Sequence, residues 1–249
     1  MWGAGDFDAV ASRILDVGEF CVDRARVDAG MEVLDVACGT GNATIPAVRR
    51  GARVTGLDFQ PDLLALAREN ASAAGVDIEW VEGDAQDLPF EDGRFDRVLS
   101  TFGHMFAPDH ERTAAELRRV TREGGAISIC CWAPDGAIGR MFGMTAALVP
   151  PPPGTSSPLL WGTEDHVREL LGDADFVRGE AEWRDSSVER YADYMLASFG
   201  PLLNAQEALG ARSGELREAY INYLNNENLE SNGTLRFRGE YLSSVVPMT

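Results

Sequence analysis

Residues 32–36, Glu32-Val33-Leu34-Asp35-Val36, run without a break into the turn Ala37-Cys38-Gly39-Thr40-Gly41-Asn42, and a helical pattern through Ile45 and Val48 follows. A strand that ends in a glycine turn and opens a helix constrains the rest of the chain, because further strands must then pair beside it in parallel. Residues 53–58 supply the second strand, and Pro61 opens a helix at the position that suits its fixed φ. Residues 78–81, 95–100 and 126–132 read as the third, fourth and fifth strands, with an amphipathic helix over 111–122 broken by Gly124-Gly125. An N-terminal helix over about 7–25 places Val10, Ile14, Val17 and Cys21 on one face.

After Trp132 the rhythm changes. Pro150–Pro153, Gly154 and Pro158 exclude regular helix or central strand. Residues 135–163 therefore read as an insertion over the sheet. A helix over 164–171, a strand over 176–183 and an aromatic helical stretch over 187–225 follow, and the last strand spans 234–246. The expectation is one α/β domain over 1–249. Its cofactor-binding half is 26–134, 135–163 and 187–230 are substrate-side insertions, and 234–247 is the closing strand.

Charge narrows the function. The chain has 249 residues and a formal charge of −18, and all 22 basic residues are arginine. Lysine Schiff-base chemistry and a Walker-type lysine are thereby excluded. Such an acidic chain repels nucleic-acid backbones and anionic membrane surfaces, so neither is an expected partner. Neither a membrane-length apolar run nor a basic-then-apolar N-terminus is visible, and a cytoplasmic protein is expected. Cys21, Cys38, Cys130 and Cys131 show no CxxC spacing, so they read as reduced buried thiols with no metal site.

The glycine turn lets backbone approach a ligand closely at a helix N-terminus, which favours negative charge. Tested as a dinucleotide fingerprint from Gly39, it gives Gly41 and then Thr44, so the third glycine is missing. An NAD-dependent oxidoreductase is weakened accordingly. Asp58 ends the second strand, where a carboxylate can accept from both ribose hydroxyls. Asp84 follows the third strand and can accept from an adenine amino group, and Phe59 offers a flat contact for the base. Successive acids at parallel strand ends line the crevice where such sheets bind ligands.

On Val33–Gly41, Val54-Thr55-Gly56-Leu57-Asp58, Gly83-Asp84-Ala85 with Leu88-Pro89-Phe90, Phe95-Asp96, and Leu117-Arg118-Arg119-Val120 before Gly124-Gly125, the sequence resembles the class I S-adenosylmethionine-dependent methyltransferases. Glu123 stands where the family often has proline. Within the family the likeness is to small-molecule enzymes of the ubiquinone/menaquinone-biosynthesis type. The resemblance covers about residues 30–134. It implies a Rossmann-like, seven-stranded, mostly parallel sheet with an antiparallel last strand, helices on both faces and a lid of insertions.

The resemblance also implies roles. Asp35 and the turn Ala37, Cys38, Gly39, Thr40 and Gly41 would hold the methionine end of S-adenosylmethionine, with Thr40 at its carboxylate. Asp58 would bind the ribose, Asp84 and the Ala85 backbone the adenine, while Thr101 and Phe102 would flank the sulfonium. The product would be S-adenosylhomocysteine. His104 is the candidate general base or acceptor contact, its ordinary pKa suiting proton removal near neutrality. His110 and His166 read as helix-start or surface residues. Residues 136–160 and 189–225 are expected to roof the acceptor, with Trp2 and Phe7 closing it. An apolar, aromatic roof points to a small hydrophobic or aromatic methyl acceptor, bound by a monomer or homodimer. Two alternatives stay open: a non-methylating reaction such as cyclisation on the same fold, and a non-catalytic binding protein.

Overall fold

The computed structural model describes residues 11–249. The expected contribution of Val10 to the first helix, and of Trp2 and Phe7 to a lid, lies outside the described residues. A short 3-10 turn at Ser12–Ile14 leads into α1 (Leu15–Arg24), which buries Val17, Cys21 and Val22. Then follow β1 (Glu32–Val36), α2 (Thr44–Arg49), β2 (Arg53–Asp58), α3 (Pro61–Ala74), β3 (Glu79–Glu82), β4 (Phe95–Thr101) and α4 (His110–Val120). The second half comprises β5 (Thr121–Trp132), α5 (Ala137–Leu148), α6 (Glu164–Leu171), β6 (Asp175–Asp185), α7 (Val188–Ser198), α8 (Gly200–Leu209), α9 (Ser213–Glu227) and β7 (Leu235–Pro247).

All seven strands join one sheet in the order β3-β2-β1-β4-β5-β7-β6. β1 to β5 pair in parallel, and β7 runs antiparallel between β5 and β6. β1, β2 and β4 are buried along most of their length, as expected of parallel strands covered on both faces. β6 lies at one edge, where Arg178, Glu180, Glu182 and Arg184 put charge along the strand that could otherwise template aggregation. Asp96, part of the family-like Phe95-Asp96 pair, has a structural task here. Its Oδ2 accepts from the Glu32 N–H at 2.7 Å and ties the start of β4 to that of β1.

One boundary corrects the sequence reading. Gly124-Gly125 does not break the chain ahead of a strand at Ala126. It lies inside β5, which begins at Thr121. Gly124 N–H donates to Met248 O at 2.7 Å and Met248 N–H to Gly125 O at 2.9 Å, so the pair is held by the end of β7. A β-carbon at Gly125 would stand 2.9 Å from the Asp96 carbonyl, which is why only glycine lets β4 and β5 close up at this irregular register.

Helices α5, α7 and α9 cover the β5–β7–β6 half. Glu240 Oε2 accepts from the Ala137 N–H at 2.8 Å at the start of α5, and Tyr223 Oη donates to Ala137 O at 3.0 Å. Arg140 reaches Glu227 through both oxygens, joining α5 to α9. No helix among the described residues is long and apolar enough to cross a membrane.

Candidate active site

The strand order reverses between β1 and β4, so the loops leaving their C-terminal ends part and open a crevice. A cavity of about 380 Å³ occupies it and runs on beneath α5, α7 and α9. Ala37, Cys38, Gly39, Thr40, Asp58, Phe59, Asp84, Ala85, Thr101, Phe102 and His104 all line it. Asp35 and Gly41 do not.

The turn after β1 takes its shape from three left-handed residues, Ala37 (φ 53°), Gly39 (φ 55°) and Gly41 (φ 95°). Gly39 N–H donates to Asp58 Oδ2 at 2.8 Å, and Gln60 N–H donates to Oδ1 at 2.9 Å. With backbone donors already on it, the carboxylate still has acceptor capacity for a further donor. Burial raises the Asp58 pKa, and these backbone bonds oppose the shift. Beside it Phe59 lines the cavity and is 66% exposed, a large apolar ring open to solvent.

Asp35 is 1% exposed and accepts from Thr44 Oγ1 at 2.6 Å through Oδ2, while Oδ1 has no partner among the described residues. Burial pushes its carboxyl up to about 7, opposed by the Thr44 bond and assisted by the Asp58 charge. Thr40 Oγ1 is likewise buried without a partner. Asp84 is already engaged: its Oδ1 accepts from the Gln86 N–H at 2.9 Å, and Gln86 Nε2 reaches both carboxylate oxygens at 3.1 Å. Gln86 also lines the cavity and accepts from the Asp109 N–H at 3.0 Å. Sequence reasoning passed over Gln86; the available signal was an amide two residues beyond an acid in a turn.

Thr101 is the last residue of β4, one position earlier in the architecture than a loop placement. Phe102 follows at φ +60°, a conformation a bulky residue holds only when its surroundings dictate it. Its N–H donates to Cys130 O at 2.8 Å, and its ring stacks on Trp132 at 3.7 Å and 7°.

His104 is fully buried in a 3-10 turn, His104–Phe106. Its Nε2 lies 3.5 Å from Cys131 Sγ, its ring meets Trp161 edge-on at 4.8 Å, and Nδ1 has no partner among the described residues. Burial, with a smaller contribution from His110, pushes its pKa down to about 3, so the ring is neutral near pH 7. His110 does open a helix but is buried, and its Nδ1 is 2.9 Å from His166 Nε2. Both rings contact Trp161 at 5.5 Å, so the chain's three histidines gather round one indole.

Beyond Phe102 the cavity walls are Trp132 of β5, Trp183 of β6, Phe237 of β7, Ile138, Met141 and Phe142 of α5, Tyr191 and Met195 of α7, Phe199, and Tyr220 of α9. The proline-rich stretch 150–158, expected in the roof, does not line it. That stretch is mostly exposed to solvent.

The methyltransferase-domain family matches residues 33–125, which carry every strand-end acid described above. The uncharacterised protein Rv1403c of Mycobacterium tuberculosis is 41% identical over 218 residues, covering 84% of this chain and 79% of that one. A demethylmenaquinone methyltransferase of Thermus thermophilus is 40% identical over 125 residues, 49% of this chain and 57% of its own. The chain belongs to the class I S-adenosylmethionine-dependent methyltransferases. The crystal structure of a candidate methyltransferase from Bacillus halodurans C-125 shares the fold, with a TM-score of 0.64 at 20% identity, covering 92% of this methyltransferase and 97% of that chain.

The cofactor of this methyltransferase family, S-adenosylmethionine, fits the residues present. The crevice offers a largely exposed aromatic ring at Phe59, a carboxylate with remaining acceptor capacity at Asp58, and two buried oxygens, at Thr40 and Asp35, without partners among the described residues.

Proposed function

We propose that this methyltransferase delivers the methyl group to a small, flat, uncharged organic molecule held in the chamber beyond Phe102. The observation that carries the reading is the continuity of the cofactor crevice with a wall of Trp132, Trp183, Phe237, Ile138, Met141 and Phe142. Such a lining gains by burying apolar surface and offers little to compensate a charge. The partial likeness to a demethylmenaquinone methyltransferase supports the same substrate class.

S-adenosylmethionine supplies a methyl carbon already activated by its sulfonium, so the protein's work is binding, orientation and exclusion of water. Thr40 Oγ1 and the turn's N–H groups would hold the carboxylate of the methionyl end. Asp35, below the turn, would attract its ammonium. Asp58 would accept from the ribose hydroxyls, Phe59 would cover the base, and Asp84 with the Ala85 backbone would meet its polar edge. Thr101 and Phe102 would flank the sulfonium. Helices α5, α7 and α9 would keep the acceptor dry, with its lone pair at roughly 3–3.5 Å from the methyl carbon.

His104 serves this reaction as a neutral contact at the chamber wall, through its unpartnered Nδ1, because so depressed a pKa makes a weak base. The acceptor then brings its own neutral nucleophile: an electron-rich ring carbon or an amine. The protein acts on such molecules without nucleic-acid or membrane partners, in the cytoplasm, as a monomer or homodimer.

The test is S-adenosylhomocysteine release with hydroquinones, naphthols and aryl amines, set against anionic acids, RNA and protein substrates. Turnover with the neutral aromatic set is expected. Turnover confined to macromolecules or anions contradicts the proposal. Tight S-adenosylhomocysteine binding with no turnover on any acceptor would instead favour a non-methylating reaction on this fold.

A further inference from the structure

Tyr191 and Tyr220 bring a pair of hydroxyls to an otherwise apolar chamber. Both line the cavity, both are 1% exposed, and neither phenol donates a hydrogen bond to an acceptor among the described residues. Both hydroxyl protons are therefore left for a ligand in the cavity, whereas the nearby Tyr223 hydroxyl is spent on Ala137 O at 3.0 Å.

Both rings are locked in place. Tyr220 stacks on Tyr223 at 5.7 Å and 14°. Tyr191 meets Phe237 edge-on at 5.8 Å, and the Arg13 guanidinium lies 5.4 Å from its ring centre. Arg13 is itself fixed by donating to Arg184 O at 2.9 Å. Burial raises the Tyr191 pKa and the Arg13 charge, itself paired with Asp185, only partly opposes that, so the phenol stays protonated as a donor. A buried, preorganised donor left unmade is costly, and it discriminates sharply for a ligand that can satisfy it.

The pair also stands at the end of a continuous wall. Phe102 contacts Trp132 at 3.7 Å, Trp132 contacts Trp183 at 5.6 Å, and Trp183 stacks on Phe237 at 5.2 Å, which meets Tyr191. A flat molecule lying along these rings would reach from the methyl-transfer position beside Phe102 to the tyrosine hydroxyls.

We infer that the methyl acceptor carries a neutral oxygen, a carbonyl or a phenol, that docks on the Tyr191–Tyr220 pair. The pair selects the molecule and sets which of its atoms faces the methyl group. This rests on the aromatic-acceptor reading above. The test uses naphthalene and 2-naphthol as probes, titrated into the full chain saturated with S-adenosylhomocysteine. The wild type is expected to bind 2-naphthol roughly tenfold more tightly than naphthalene, the worth of one hydrogen bond.

The Tyr191→Phe/Tyr220→Phe double variant keeps the rings and is expected to lose that preference with naphthalene affinity unchanged. Each single variant retains one hydroxyl and should keep part of it. Equal affinities in the wild type, a preference that survives the double variant, or failure of both probes to bind overturns the inference. S-adenosylhomocysteine titrated alone reports separately on the cofactor site. Its failure to bind would sink the methyltransferase reading itself.

Discussion

Gly103 approaches Ala37 so closely that a β-carbon at position 103 would lie 2.5 Å from both the Cβ and the carbonyl oxygen of Ala37. The loop after β4 therefore rests directly on the turn after β1, and each holds the other's unusual backbone, with Ala37 at φ 53° and Phe102 at φ +60°. Ser100 adds a bond across the same junction, its Oγ donating to Val36 O at 2.7 Å. Gly103→Ala is expected to destabilise the fold by about 1–3 kcal/mol, as overpacking does. A melting curve should show a fall of about 2–4 °C per kcal/mol, with cofactor affinity dropping in parallel. Gly143→Ala, inside α5 with nothing within 4 Å of its added carbon, serves as the control and should gain about 0.5–1 kcal/mol. Equal behaviour of the two variants would show that the loops are not coupled.

Two buried groups oppose one another in the pH dependence of stability. The Asp35 carboxyl is raised from 3.8 to about 7, so between those values the folded chain holds a proton the unfolded chain has released. Its contribution is present at low pH and is lost as pH rises through 7. His104 is lowered from 6.5 to about 3, so the unfolded chain protonates first and stability falls as pH drops below 6.5. Asp58 adds to the first slope, His110 and His166 to the second. The ligand-free wild type should therefore melt at nearly constant temperature over about pH 4–6.5. Asp35→Asn should unmask acid sensitivity in that window, and His104→Gln should unmask a loss with rising pH. If neither variant changes the slope, these groups do not titrate as their burial dictates.

Cofactor affinity should carry the same proton. Binding a methionyl ammonium favours the ionised Asp35, so S-adenosylhomocysteine should bind more tightly as pH rises through 7, releasing a proton below that pH. Calorimetry in buffers of different ionisation enthalpy measures this release, and Asp35→Asn should abolish it. Proton release that persists in the variant would assign the titration elsewhere.

Phe59 and Asp58 separate binding from folding. Phe59→Ala removes an exposed ring and should change stability by no more than about 0.5 kcal/mol. It should nonetheless weaken S-adenosylhomocysteine by about 1–3 kcal/mol, the worth of base–aromatic stacking. Asp58→Asn should weaken binding roughly ten- to hundredfold, because hydrogen bonds to a charged group are lost. Unchanged affinity in both variants would move the adenosine site away from β2.

The turnover profile bears on His104. A neutral ring near pH 7 predicts that kcat/KM shows no limb near 6.5 belonging to this residue, and that His104→Gln leaves the profile's shape unchanged while lowering its height. A limb near 6.5 that disappears in the variant would make His104 the base.

The first four strands were legible because each is a short apolar run punctuated by glycine or proline, and the acids at their ends were legible because strand ends are where such sheets bind ligands. Gly124-Gly125 misled because a glycine pair reads locally as a break, while its pairing partners, Met248 and the start of β4, lie far off in sequence. The gathering of His104, His110 and His166 round Trp161 joins separate segments that no spacing rule connects. In the helical stretch after Ser187, periodicity could not separate Tyr191 and Tyr220, which line the cavity, from Tyr194 and Tyr223, which do not. The proline-rich stretch looked like a lid because it could be neither helix nor central strand, but α5 before it supplies the roof.

The most direct test places the transferable carbon. S-adenosylmethionine labelled with 13C at the sulfonium methyl, bound to the wild type, should show a proton–carbon signal displaced by ring currents from Phe102 and its Trp132 neighbour. Phe102→Leu should remove most of that displacement while the cofactor still binds, and an aromatic acceptor should shift the signal again. A bound methyl signal at its free-solution position, or a displacement that survives Phe102→Leu, would contradict a methyl group presented to the aromatic chamber.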